Sequence, residues 1–192
     1  MANTYSESDP DFPFPKPLFR TSEEICRMAD KLRNETGFKT GDKIDDLVTM
    51  LGGKVELEDS WASTAPANPV SMYVHGERDF KIVVPTSATR ERQNFLKAHE
   101  VGHYILHFLV RRILERNGGA ASVLKKMKTR RFGETASEQE ANWFAASLLM
   151  PAKELKAELK SQAENMYSIA KKFNVTPYDA KRRVEYLKQN NC

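Results

Sequence analysis

The 192-residue chain reads as an α+β protein, mostly helical with a small sheet. Two observations carry that reading. Helical periodicity fills the stretch from residue 21 to 51 and again everything beyond about residue 90. Between them, three short segments alternate as strands do. Helices, a sheet and helices again, in blocks, is the α+β order rather than the strand–helix alternation of a parallel sheet. The length suits one domain with a sizeable core.

Residues 1–19 hold Pro10, Pro13, Pro15 and Pro17 among acidic and aromatic residues. Prolines so dense remove backbone donors and bar helix, so a flexible or extended arm is expected, followed by a single domain over 20–192. From Thr21, the residues Ile25, Met28, Ala29 and Leu32 recur at helical spacing and stop at Gly37. A second short helix carries Ile44, Leu47, Val48 and Leu51 and ends at Gly52-Gly53. Lys54 to Glu58 alternates, and Ser71–His75 is joined through Gly76 to Phe80–Val84 as a hairpin ending at Pro85. About three strands are therefore expected. The strand at 80–84 runs into the next helix, and a free edge there could pair with an extended peptide. Beyond it the pattern predicts helices near 90–115, 120–128, 137–150, 152–161, 164–173 and 177–189. The last two form a C-terminal pair over about 164–189.

No run of eighteen apolar residues exists, and the N-terminus lacks the basic start and apolar stretch of a secretory signal. No membrane span and a cytoplasmic location are expected. Cys26 and Cys192 sit in no CxxC and beside no histidine, so neither is assigned a metal or redox role. The net charge of +4 permits contact with nucleic acid without arguing for it.

The chemistry lies in Phe95-Leu96-Lys97-Ala98-His99-Glu100-Val101-Gly102-His103. On a helix, positions four apart stand one above the other, so His99 and His103 can hold one zinc ion from one side. Glu100 between them can take a proton from an attacking water and pass it to the leaving amine. The helix around them is apolar, with Val101, Ile105, Leu106, Phe108 and Leu109. Two imidazoles and a carboxylate in such a helix are costly unless a metal or partners satisfy them. A catalytic zinc needs a third protein ligand and an open position. His107 lies about 12 Å along the axis of a regular helix from His99, too far to share the ion. It is expected to pack or to sit behind a ligand. The longer HExxHxxGxxH pattern would need a histidine where Leu109 stands.

The segment from Ser137 to Pro151 offers the third ligand. Ala141, Phe144, Ala145, Leu148 and Leu149 form one apolar stripe at about 100° per residue. Glu138 falls inside that arc and Glu140 outside it, near Ser147, which favours Glu138. Capping does not separate them, because Thr135-x-x-Glu138 and Ser137-x-x-Glu140 both fit the capping box. Asn142, one turn after Glu138, could orient a ligand.

At these residues the chain resembles the ImmA/IrrE family of metallopeptidases. It shares an arginine-rich lead into a HExGHxxxH helix, Arg90 to His107. It also shares an E-x-x-A-N-x-F-A-x-x-L-L-M-P helix, Glu138 to Pro151, and a C-terminal pair around Ala170–Thr176 with Arg182 or Arg183. The resemblance covers about 21–190. It implies a zincin-like core with one Zn2+ on His99, His103 and Glu138, and Glu100 as the base. It implies a regulatory substrate, commonly a helix-turn-helix repressor of phage, mobile-element or stress genes. Many relatives carry their own N-terminal helix-turn-helix domain, and here only the proline-rich arm precedes the core, so the substrate is expected to be met in trans.

Two features compete. The C-terminal pair could pass for a helix-turn-helix, with Tyr178, Lys181 and Arg182 towards DNA. Its apolar positions Ile169, Ala170, Phe173, Val175, Ala180, Val184 and Leu187 account for themselves by packing, so direct nucleic-acid binding is not expected. The basic residues Lys125, Lys126, Lys128, Arg130 and Arg131, with Arg111 and Arg112, fall between the metal helices and are expected at the cleft rim, to hold an acidic substrate stretch or a repressor on DNA. A non-cleaving module that sequesters a repressor or toxin is the alternative function.

Overall fold

A computed structural model describes residues 12–59, 69–120, 122–130, 133–161 and 165–190. Helix α1 (Ser22–Thr36) starts at a capping box in which Thr21 and Glu24 satisfy each other's backbone, and ends at Gly37 in the left-handed region. Helix α2 (Ile44–Met50) leads into strand β1 (Gly53–Glu58). The hairpin follows as β2 (Val70–Gly76) and β3 (Asp79–Pro85).

A fourth strand, β4 (Met127–Arg130), replaces the helix expected near 120–128. The sequence Met-Lys-Thr-Arg has neither strand nor helix periodicity of its own. Its conformation comes from pairing antiparallel with β2, Met72 facing Thr129 and Val74 facing Met127. The sheet order is β1-β3-β2-β4, with β1 and β3 parallel. Strand β3 is thus interior, paired on both sides, and the free edge expected at 80–84 does not exist. The edges are β1 and β4.

The described part of the proline-rich arm, from residue 12, runs extended along β4. The Lys128 N–H donates to the Pro13 carbonyl at 3.1 Å. Phe12 is buried edge-on against Tyr73 and His75. The cationic groups of Lys128 and Arg130 stand 5.3 and 4.4 Å from the Phe14 ring centroid, and Lys126 stands over Phe12. The basic cluster therefore holds the chain's own aromatic residues. Its described members are not among the residues lining the cleft, and Arg131 lies outside the described residues. Arg112 pairs with Glu77 and Arg111 with Glu115.

Helix α3 (Arg90–His103) continues into a π-helical segment, Tyr104–Val110, and then α4 (Arg111–Asn117). The long helix predicted here is present but not regular throughout. Helix α5 (Ala136–Leu149) packs across α3 and α1, and Phe144, Ala145 and Leu148 are fully buried with Ala98, Val101, Ile25 and Ala29. Its last carbonyls are met by two buried arginines: Arg33 donates to Leu148 O at 2.7 Å and Arg183 to Met150 O at 3.3 Å.

Helix α6 (Ala152–Ser161) precedes the C-terminal pair, α7 (Met166–Phe173) and α8 (Pro177–Gln189), which turns at Asn174 in the left-handed region. The Asn94 side chain ties that turn to α3 by donating to the Asn174 carbonyl at 2.8 Å. Ile169, Ala170, Phe173, Val175, Ala180, Val184 and Leu187 are buried, as packing requires. Arg183 is buried with them. Cys26 is buried with its Sγ 3.0 Å from the Ser147 hydroxyl, while Cys192 lies outside the described residues. Among the described residues no helix is long and apolar enough to cross a membrane.

Candidate metal centre

Helix α3 presents His99 and His103 on one face, towards the first turn of α5. The close approach of the helices depends on Gly102. A Cβ there would stand 3.1 Å from the Ala141 carbonyl and 3.2 Å from the Phe144 Cβ. That approach brings Glu138 over both imidazoles. Its Oε2 lies 3.1 Å from His99 Nε2 and its Oε1 lies 3.2 Å from His103 Nε2, while the two Nε2 atoms are 3.1 Å apart. Gly102→Ala should push the helices apart. We expect a loss of about 1–3 kcal/mol from overpacking, together with weaker metal binding. Urea unfolding and competition with a chelator check the two effects, and no change in either would mean that α5 yields without moving Glu138.

The triangle of donors fits a tetrahedral metal. Ligands at about 2.0–2.1 Å from zinc stand about 3.3 Å from one another in a tetrahedron, close to the spacing seen here. The donor set, two imidazole nitrogens and a carboxylate oxygen, is that of a catalytic zinc site. Each imidazole is also held from behind. His99 Nδ1 donates to Asn142 Oδ1 at 3.0 Å, which turns its Nε2 towards the centre, and His103 Nδ1 lies 3.0 Å from His107 Nδ1. Burial, the largest influence on His103, lowers it from the ordinary imidazole value to about 3, so its ring is neutral near pH 7. Burial alone would raise Glu138, but hydrogen bonds from His103 and His99 hold it far below the usual carboxylate range.

Glu100 faces the sheet. Thr129 Oγ1 donates to its Oε2 at 2.6 Å, and Ser71 Oγ lies 3.0 Å from the same threonine hydroxyl. Burial pushes the Glu100 carboxyl up, opposed by the His99 charge and the Thr129 and Ser71 hydroxyls. Neither hydroxyl was marked by sequence, because Thr129 lies on the unread strand β4 and a serine on a strand has no spacing to distinguish it.

Glu140, the rival third ligand, is buried away from the triangle and accepts a hydrogen bond from His107 Nε2 at 2.8 Å. The cap of α5 is Thr135, whose hydroxyl accepts from the Glu138 N–H. Glu140 is therefore neither cap nor part of the triangle. The centre opens on a cleft of about 640 Å³, walled by Val83 and Pro85 of β3, Glu100 of α3, Asn142 of α5, and Tyr178 and Arg182 of α8. The C-terminal pair thus supplies one wall of the cleft.

Two imidazoles and a carboxylate on crossing helices, a second carboxylate beside them and an open cleft define a site of the metallopeptidase type. The chain belongs to the Peptidase_M78 family, whose model, described as the IrrE N-terminal-like domain, matches residues 71–185. Among curated proteins no significant relative is found. Among solved structures, a Mycobacterium tuberculosis transcriptional regulator is similar, with a TM-score of 0.56 and 16% identity. The match covers 84% of this chain and 46% of that one, so this chain spans less than half of that protein's length. At such identity the likeness is one of fold.

Proposed function

We propose that the chain is a zinc-dependent endopeptidase that hydrolyses a peptide bond in a regulatory protein, a helix-turn-helix transcriptional repressor met in trans. The observation that carries the chemistry is the convergence of His99, His103 and Glu138, with Glu100 beside them on the cleft. The family assignment supports the reaction class, and the regulatory substrate rests on the family resemblance.

His99, His103 and Glu138 would hold the ion. When bound, it supplies Lewis-acid polarisation of the scissile carbonyl and acidifies the attacking water. Glu100 accepts the proton of that water as the carbonyl carbon is attacked, then returns it to the amine nitrogen as the C–N bond breaks. The Thr129 hydroxyl fixes the carboxylate's orientation throughout. The cleft walls align the peptide and limit water.

Zinc-loaded protein incubated with the product of a neighbouring gene that encodes a helix-turn-helix repressor, where one exists, should yield two fragments whose masses sum to the repressor plus one water. A stoichiometric complex with no fragment would instead favour a module that sequesters its partner without cutting it.

A further inference from the structure

Strand β4 is four residues long and lies at an edge of the sheet, yet it carries the hydroxyl that orients Glu100. Met127 and Thr129 are fully buried on its core side. Successive residues of a strand face opposite ways, so Lys126, Lys128 and Arg130 share the other face. Like charges at that spacing, about 7 Å, repel one another. Met-Lys-Thr-Arg also has little apolar surface with which to hold its own register, and a slip of one residue would put Lys128 or Arg130 where Thr129 stands.

The N-terminal arm meets each of these weaknesses. The Phe14 ring lies 5.3 and 4.4 Å from the cationic groups of Lys128 and Arg130, and the Phe12 ring lies 5.0 Å from that of Lys126. The Arg130 Nε is buried and finds no hydrogen-bond partner among the described residues, and the Phe14 ring covers its guanidinium. Phe12 in turn is anchored on β2, edge-on to Tyr73, the residue that pairs with Lys128. At the outer edge of β4 the Lys128 N–H donates to the Pro13 carbonyl. Pro13 has no N–H, so the arm closes this edge without extending the ladder.

We propose that Phe12 and Phe14 are positioning residues for peptide hydrolysis, holding β4 by its cations in the register that sets Thr129 Oγ1 2.6 Å from Glu100 Oε2. The aromatic arm thus helps to aim the base, although its rings lie on the face of the strand turned away from Glu100. This role rests on Glu100 as the base and deepens that reading.

Phe14 is 40% exposed, so Phe14→Leu spares the core while removing the aromatic face. In the metal-free full-length protein, the Lys128 amide of Phe14→Leu should exchange with deuterium about tenfold faster than in wild type, the scale of a desolvated cation–aromatic contact. Phe14→Trp, which keeps an aromatic face, should retain wild-type protection. With zinc-loaded protein and the repressor of the cleavage assay, Phe14→Leu should lower kcat about tenfold, a part of the about 10²–10⁴ that a positioned base supplies. KM and zinc content should stay at wild-type values, and Phe14→Trp should recover kcat. In a Thr129→Val background, which lacks the hydroxyl, Phe14→Leu should cost no further kcat. Equal amide exchange in wild type and Phe14→Leu overturns the clamp, as do matching kcat values for Phe14→Leu and Phe14→Trp. Losses that multiply in the Thr129→Val background overturn the route through Thr129. Failure of the wild type to cut would sink the peptidase reading, while amide exchange would still decide whether the arm holds β4.

Discussion

Glu100→Gln should lower peptide cleavage by about 10²–10⁴-fold, the usual contribution of a positioned general base, while zinc content and thermal stability stay near wild type. Glutamine has the length of glutamate, and its Oε1 can still accept the Thr129 hydroxyl that meets Glu100 at 2.6 Å. What it lacks is a group that takes a proton and gives it back. The site is buried, so the neutral amide replaces a carboxylate that burial already disfavours, and the fold has no reason to suffer. Rate, metal content and melting temperature must be read together. Cleavage at the wild-type rate by the well-folded, zinc-loaded variant would assign the base elsewhere.

Glu138→Ala should release the metal. It removes a donor that stands 3.1–3.2 Å from both Nε2 atoms and is the one anionic corner of the triangle. We expect an affinity loss beyond the about 100-fold that bounds the effect of an outer hydrogen-bond partner, large enough that the ion is gone after desalting. Glu140→Ala, by contrast, should stay within that bound, because its carboxylate meets His107 and not the triangle. Metal analysis of the two variants prepared alongside each other separates them. Zinc retained by the first and lost by the second would exchange their roles.

Both predictions concern residues that the sequence marks, and the reason is periodicity. His99, His103 and Glu138 lie on helices whose apolar stripes fix which positions face each other, so a rotation of 100° per residue is enough to find them. Strand β4 escaped because three of its four residues are cationic or hydroxylic and its conformation is set by β2, more than fifty residues away. With it went Thr129, and so the orientation of Glu100. His107 was placed behind the ligands from its distance along a regular helix, but the π-helical segment and the partner Glu140 come from packing that no local pattern records. The edge at 80–84 failed for a related reason. A hairpin shows which strands are joined, whereas an edge depends on what else pairs, and β1 arrives from before the hairpin to cover it.

The two arginines at the end of α5 bear on how the site assembles. Arg33 comes from the first helix and Arg183 from the last, and both seat carbonyls at the far end of the helix that carries Glu138. A chain emerging from the ribosome has His99 and His103 long before Arg183 is made. The far end of the helix that carries Glu138 therefore gains its second arginine only when α8 docks. Ion capture should accompany the last cooperative step of folding, and partly folded or truncated chains should remain unable to hold the metal and so unable to cut.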